Sequence, residues 1–150
     1  EELYANKATF ELKAIAGTTY TDQYMFRLAE TYLLRAEAYL NLNNKELAAA
    51  DINEVRGRAH AKPVEASRVD LDYILDERMR ELGVEEKRRI TLMRTGKLYE
   101  RVMKHNPFYA NPETCGDGIG MLEKYNLWPI PQSAIEANIG AKLDQNPGYN

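Results

Sequence analysis

The sequence has few of the residues on which metal centres and disulfide bonds depend. Its 150 residues contain a single cysteine, Cys115, and two histidines, His60 and His105. A lone cysteine forms no disulfide within the chain and cannot build a cysteine-rich zinc site. The two histidines are too far apart in sequence for the HExxH motif of zinc hydrolases. We therefore expect no metal site and no cofactor.

An excess of one charge and long apolar runs are missing as well. The chain has 20 basic and 23 acidic residues, so its net charge of −3 gives no electrostatic footprint for nucleic acid or an anionic membrane surface. No run reaches the roughly 18 apolar residues of a membrane-spanning helix. The acidic start, Glu1-Glu2-Leu3-Tyr4, lacks the basic and apolar regions of a signal peptide. With 44% hydrophobic and 29% charged residues, the composition is typical of a folded domain.

Apolar residues recur at helical spacing through much of the chain. They return every three or four positions from Met25 to Leu40, and the pattern resumes at Ala48 after a break. After His105 the periodicity is lost, and Pro, Gly and Asn become frequent. The fold class predicted is all-α, mainly helical, with a long irregular loop region and an extended C-terminal segment. We predict helices over residues 22–40, 45–59, 70–82, 85–93, 98–103 and 133–138, and a short strand over residues 9–15.

The first two predicted helices form a unit of roughly 34 residues, the tetratricopeptide period. Small Ala36 and Ala48 allow the two helices to approach closely, while Tyr32 and Tyr39 are expected in the core beside them. One repeat cannot bury its outer face alone, so the remaining helices or a neighbour must cover it. We assign residues 1–150 to a single region: a tetratricopeptide-like helix pair over 24–60, further helices over 70–104 and a loop-rich segment over 105–150.

Catalytic patterns are not evident. Gly96-Lys97 lacks the glycine and hydroxyl residues of a phosphate-binding loop, and the Gly116–Gly120 stretch follows no strand and is too short for a dinucleotide fingerprint. The carboxylates between Asp76 and Glu86 alternate with arginines and lysines at helical spacings, which favours solvated ion pairs over general acid and base chemistry. We therefore expect that the protein is not an enzyme.

Several separate segments together resemble one protein family. They are residues 24–39, 50–59, 74–82 and 88–97, followed by Leu127-Trp128-Pro129-Ile130-Pro131-Gln132 and Gln145-Asn146-Pro147-Gly148-Tyr149. In this order they are similar to the C-terminal portion of SusD/RagB proteins. Val84-Glu85-Glu86-Lys87 departs from the residues usual in the family at that place. The resemblance implies that the chain corresponds to the last part of longer proteins and exposes apolar surface where their other helices pack.

The resemblance also implies a function. Proteins of this kind are non-catalytic, lipid-anchored outer-membrane proteins of Bacteroidetes-type bacteria, and the lipid anchor lies outside this chain. They capture glycans, or in some members peptides, at the cell surface for uptake through a SusC-like TonB-dependent transporter. An alternative, motivated by the helix pair alone, is a helical-repeat adaptor that binds a protein or peptide partner. A third hypothesis, an enzyme acting on the glycan through the Glu-rich helices, is weaker because of the interleaved arginines.

The loop region between His105 and Asn126 is the candidate ligand surface. Aromatic rings stack on the apolar faces of sugars, while amide and carboxylate groups bind sugar hydroxyls. The simpler interpretation is that the adjacent rings at 108 and 109 only anchor the loop, and Trp128, flanked by prolines, is expected in the core. The candidate ligand-binding residues are Phe108, Tyr109, Asn111, Asp117 and Tyr125.

Overall fold

The structure, a computed structural model, describes residues 4–6, 8–9, 11–14 and 25–149. Two short strands, β1 (Tyr4–Asn6) and β2 (Glu11–Leu12), pair antiparallel near the start of the chain. The rest of the described chain is mainly helical, which confirms the predicted fold class. Its α-helices are α1 (Leu28–Asn41), α2 (Lys45–Arg58), α3 (Leu71–Leu82), α4 (Arg88–Arg94), α5 (Leu98–His105), α6 (Pro107–Ala110) and α7 (Gln132–Ala137).

Most predicted helices agree with the observed ones to within a few residues. The fourth begins later than predicted because the chain makes a turn first, in which the backbone N–H groups of Glu85 and Glu86 both donate to the carbonyl of Leu82. Among the described residues of the predicted strand, only Glu11–Leu12 is in strand conformation and Thr9 lies in a turn, while Phe10 and Ile15 lie outside the described residues. The predicted start of the first helix, Asp22, also lies outside them.

The helix pair α1 and α2 forms one side of the main core. Leu33, Ala36, Ala48 and Ile52 are completely buried where the two helices meet, as the small-residue pattern predicts. The aromatic residues predicted in this core, Tyr32 and Tyr39, pack against it and are partly buried. A bidentate ion pair between Arg35 and Asp51, at 2.6 and 2.7 Å, fastens the two helices together beside the core.

Helix α3 lies between two apolar clusters. Its N-terminus is capped by Asp70, whose carboxylate accepts the backbone N–H of Tyr73 at 2.7 Å. Ile74 and Leu82 belong to the core of the helix pair, whereas Leu75 packs with residues of α4 and α5. Adjacent positions on α3 therefore connect the helix pair to the two helices that follow it.

Some of the charged side chains predicted to be solvated are buried, and the prediction is wrong for these: Glu77, Arg78, Glu81 and Glu86. Arg78 is only 1% exposed, and its guanidinium donates to Glu86 through Nε and to Glu30 of α1 at 3.1 Å through Nη2. Glu77 is buried beneath Arg56 of α2, at 2.7 Å, and Arg80, at 2.6 Å. Helical spacing shows which charges share a face of α3. It does not show that two other elements cover that face with partners of opposite charge.

Several large apolar side chains are exposed. Met25, assigned to the apolar stripe of α1 by its spacing, is 89% exposed, and neighbouring Phe26 and Leu28 are exposed too. Trp128, predicted in the core, is 59% exposed, so that prediction is wrong. The prolines that follow hold the backbone extended, and Arg89 lies over the ring, with its guanidinium carbon 4.9 Å from the ring centre. No helix within the described residues combines the length and apolar character needed to cross a bilayer.

Candidate functional site

A groove of about 740 Å³ opens between α3, α4, α5 and the loop that follows α6. We call it the aromatic groove. Two tyrosines and several charged side chains surround an apolar floor. The groove is lined by Asp76, Met79, Arg88, Arg89, Leu92, Leu98, Arg101, Val102, His105, Asn106, Tyr109, Asp117, Gly120, Met121 and Tyr125.

The floor of the aromatic groove is the second apolar cluster of the fold. Leu92 and Leu98 are buried there against Leu75 of α3, and Val102 and Met121 pack on them while remaining partly exposed. These side chains come from α3, α4, α5 and the loop that follows α6, and they already pack together before a ligand binds. An apolar floor with a few polar groups at its edge is the usual composition of a small-molecule site.

Local turns fix Tyr109 at the edge of the groove. Asn106 accepts the backbone N–H of Tyr109 through its side chain at 3.2 Å, and Pro107 begins the short helix α6. The carbonyl of Tyr109 then accepts the N–H of Met121 at 2.9 Å, which closes the loop. Gly120 makes this closure possible: its φ is +71°, and a β-carbon there would lie 3.2 Å from the Tyr109 carbonyl oxygen.

Asp117 stabilises the turn that lies between Tyr109 and Met121. One carboxylate oxygen accepts the N–H groups of Ile119, at 2.9 Å, and Gly120, at 3.0 Å, and also the thiol of Cys115 at 2.6 Å. The thiol hydrogen bond first, and then the two backbone N–H groups, lower the pKa of Asp117 to about 2. The carboxylate is therefore ionised at neutral pH, and its second oxygen can accept hydrogen bonds from a ligand.

Tyr125, a second tyrosine of the lining, is held in place by the C-terminal segment. It lies in a 3-10 turn, Glu123–Asn126, whose last side chain accepts the backbone N–H of Tyr99 at 2.9 Å. The phenol of Tyr149 donates to the carbonyl of Leu127 at 3.0 Å, and Lys124 lies over both the Tyr125 and Tyr149 rings. The end of the chain thus braces this wall of the groove.

The positive charges of the groove differ in how firmly they are paired. Arg101 is buried and bonded to Asp72, at 2.8 Å, and to Asp76. The hydrogen bond from Arg101, assisted by the charge of Lys97, holds the pKa of Asp72 below its usual range. Arg89 forms no ion pair with any residue that the structure describes.

The structure brings three of the five predicted site residues together. Tyr109, Asp117 and Tyr125 line the aromatic groove. Phe108 and Asn111 do not: the edge of the Phe108 ring packs against Tyr109, with ring centres 5.1 Å apart, and the Asn111 side chain accepts the N–H of Glu113 within a turn. Whether any of these residues contacts a ligand stays a prediction.

Sequence reasoning did not identify the residues that α5 and the loop add to the groove. Arg101 and His105 lie four positions apart and so share one face of α5, which is a signal the sequence contains. Met121 gives no such signal, because it reaches the groove through the turn that Gly120 permits. In the part of the chain that the structure describes, no three His, Cys, Asp or Glu side chains gather closely enough to hold a metal ion.

The fold and the groove define a mainly helical scaffold protein in which a loop, braced by the C-terminal segment, forms one wall of an open groove. The chain belongs to the SusD family, whose family model matches residues 4–149. It is 35% identical to the starch-binding protein SusD of Bacteroides thetaiotaomicron over 140 residues, which are 91% of this chain and 24% of that protein.

A second relative is the SusD-like protein P25 of Formosa agariphila. It is 35% identical over 121 residues, covering 76% of this chain and 22% of the relative. The chain thus spans less than a quarter of the length of each curated relative it matches. The comparison with solved structures found no match.

Proposed function

We propose that the chain is part of a non-catalytic cell-surface protein that binds glycans and passes them to a SusC-like TonB-dependent transporter in the outer membrane. Membership of the SusD family and similarity to a protein named for starch binding support the glycan as ligand. The transporter partner, the outer-membrane location and the lipid anchor belong to this proposal through the family.

The observation that carries the proposal is the chemistry of the aromatic groove. Tyr109 and Tyr125 both line it, together with side chains of the apolar floor. Sugar rings have apolar C–H faces that stack on aromatic rings, and hydroxyl groups that bind charged and amide side chains. Asp117 and Arg89 supply an ionised acceptor and a donor beside the rings.

The state of the glutamates on α3 and in the turn after it argues against their use in catalysis. Glycoside hydrolysis requires two carboxylic groups free to exchange protons on either side of the bond. Glu77 and Glu86 are each held by two arginines, and Glu81 is held by Arg27 and Arg58, both at 2.6 Å. These carboxylates therefore form structural ion pairs that hold α3 to its neighbours, and they are not free to exchange protons with a substrate.

Calorimetric titration of the whole gene product with maltoheptaose, and with a panel of other oligosaccharides and peptides, tests the proposal. We expect binding of at least one glycan. The double variant Tyr109→Ala/Tyr125→Ala should weaken that binding about tenfold or more, because each stacked ring contributes roughly 1 kcal/mol.

The matched control is Phe26→Ala, which removes an exposed ring outside the aromatic groove. It should leave the affinity unchanged. Binding of no glycan in the panel would contradict the proposal, and binding of peptides alone would favour the helical-repeat adaptor. An enzyme would be favoured instead if the protein hydrolyses a bound glycan, if Tyr109→Ala/Tyr125→Ala keeps that hydrolysis, and if Glu81→Gln loses it.

A further inference from the structure

A second groove, of about 620 Å³, lies between the C-terminal end of α2, the segment that follows it and α3. We call it the basic groove, because Arg56, Lys62, Arg68 and Arg80 line it. Its acidic members are Glu77 and Glu81, and Tyr73 adds an aromatic ring. It shares no lining residue with the aromatic groove.

The two carboxylates do not cancel the positive charge of the basic groove. Glu77 is buried and already accepts from Arg56 and Arg80, while Glu81 is buried beneath two arginines outside the lining. Lys62 and Arg68 are exposed and form no ion pair with a described residue. Four positive and two negative charges line the groove, which gives it a net charge of +2.

The segment that carries Lys62 is held rigidly. Asn53 of α2 donates to the carbonyl of Val64 at 3.1 Å and accepts its N–H at 2.7 Å. Arg56 donates through Nε to the carbonyl of Lys62 itself at 2.7 Å. Val64 and Val69 are buried in the main core on either side of Arg68. The backbone that carries the two unpaired cations is therefore fixed before a ligand arrives, which lowers the entropy lost on binding.

The groove also offers a flat surface for a ring. The guanidinium of Arg80 lies over Tyr73, 5.6 Å from the ring centre, and its side chain is 52% exposed. A groove of this volume accommodates a ligand of several rings. Guanidinium groups pair with carboxylates through two parallel hydrogen bonds, as Arg35 does with Asp51 through Nε and Nη2.

We propose that the basic groove binds an acidic sugar, a ligand in which carboxylate groups are attached to the rings of a short oligosaccharide. Lys62 and Arg68 bind the carboxylates, and Tyr73 with Arg80 packs against a ring. The choice of a sugar rather than an acidic peptide rests on the proposed function. The preference for a negatively charged ligand rests on the charge and shape of the groove and is independent of that function.

Titration calorimetry of the whole gene product with tri-galacturonate, maltotriose and tri-glutamate tests this proposal. We expect tri-galacturonate to bind about tenfold or more tightly than maltotriose, because hydrogen bonds to charged groups are strong. The binding should weaken as salt rises, because both cations are exposed. The variant Lys62→Gln/Arg68→Gln should lose about tenfold or more for tri-galacturonate and nothing for maltoheptaose.

The matched control is Lys45→Gln/Lys142→Gln, which removes the same charge from exposed lysines outside both grooves. An equal loss in this control, or no loss in Lys62→Gln/Arg68→Gln, overturns the proposal. Tri-glutamate bound as tightly as tri-galacturonate shows a surface for acidic peptides and overturns the assignment to sugars. If no uncharged oligosaccharide of the panel binds while tri-galacturonate binds through Lys62 and Arg68, the function proposed for the aromatic groove is contradicted and that of the basic groove stands.

Discussion

Arg78 is the residue on which the packing of α3 depends most. Its side chain is buried beside an equally buried Glu86, and a further hydrogen bond reaches Glu30 of α1. Its Nη1 nitrogen has no hydrogen-bond partner among the described residues. Charged groups excluded from water in this way are costly unless paired, so each one depends on its partner remaining in place.

Replacing Arg78 by Met should therefore lower the free energy of unfolding by about 3 kcal/mol or more, since it leaves Glu86 buried without its main partner. Arg80→Met is the matched control. Arg80 is half exposed and Glu77 keeps Arg56, so its loss should cost about 1 kcal/mol or less. Urea unfolding followed by circular dichroism measures both. Equal losses in the two variants would show that the burial of Arg78 carries no special stability.

Asp117 provides a titration that reports on the loop beside Tyr109. Because the folded state lowers its pKa from 3.8 to about 2, the ionised carboxylate stabilises the folded loop. This contribution is complete above about pH 4 and is lost as the pH falls toward about 2. In nuclear magnetic resonance spectra, the amide resonances of Ile119 and Gly120 should shift as the carboxylate titrates, with a midpoint at about pH 2.

Cys115→Ala removes the thiol that contributes most to this shift, so it should move the midpoint upward toward 3.8. Asp117→Asn removes the ionisable group and should abolish the transition. A midpoint close to 3.8 in the unsubstituted chain would contradict the hydrogen-bonding pattern of the loop.

At the scale of elements, the helices depend on glycines at two kinds of position. Gly96 follows the end of α4 with a φ of +69°, where it reverses the chain into α5. Gly57 lies inside α2 and has no atom within 4 Å of the place where a β-carbon would be. Gly96 adopts a backbone conformation that other residues rarely adopt, whereas Gly57 only weakens the helix that contains it.

Alanine at these two glycines should have opposite effects on stability. Gly96→Ala should destabilise the fold by about 1–2 kcal/mol, because an L-residue is strained in the left-handed region. Gly57→Ala should stabilise it by about 0.5–1 kcal/mol, because alanine favours a helix and no neighbour obstructs it. Thermal melting of both variants measures the two signs. Destabilisation by Gly57→Ala would mean that α2 packs more tightly there than the structure shows.

Periodicity predicts elements well but not what covers them. The spacing of Leu33, Ala36 and Ile52 identified the faces of α1 and α2 that meet in the core. It failed for Met25, whose side chain is exposed at the start of the same stripe, and for Trp128, whose extended segment has no period to indicate a buried face. Burial of such residues depends on tertiary partners, which local spacing does not encode.

At the scale of the whole molecule, the two grooves use different faces of α3. The aromatic groove includes Asp76 and Met79, whereas the basic groove includes Tyr73, Glu77 and Arg80. The sequence indicated the loop that borders the first groove, because Pro, Gly and Asn replace the helical pattern there. It could not indicate either groove as a whole, since each joins side chains from elements distant in sequence.

The family also follows from the sequence, while the ligand surface requires the structure. The ordered segments from Tyr24 to Tyr149 carry the resemblance, and the family match over residues 4–149 confirms it. Of the five candidate residues, however, Phe108 and Asn111 lie off the aromatic groove, because α6 and the turn after it direct neighbouring side chains differently.

The central claim, that a glycan binds in the aromatic groove, is tested most directly by hydroxyl-radical footprinting of the whole gene product with and without saturating maltoheptaose. We predict that the oxidation rates of Tyr109, Tyr125 and Met121 fall when the sugar is bound, while that of exposed Phe26 stays the same. Calorimetry on the same sample verifies saturation. Sugar bound at saturation with unchanged oxidation of Tyr109, Tyr125 and Met121 would contradict the claim.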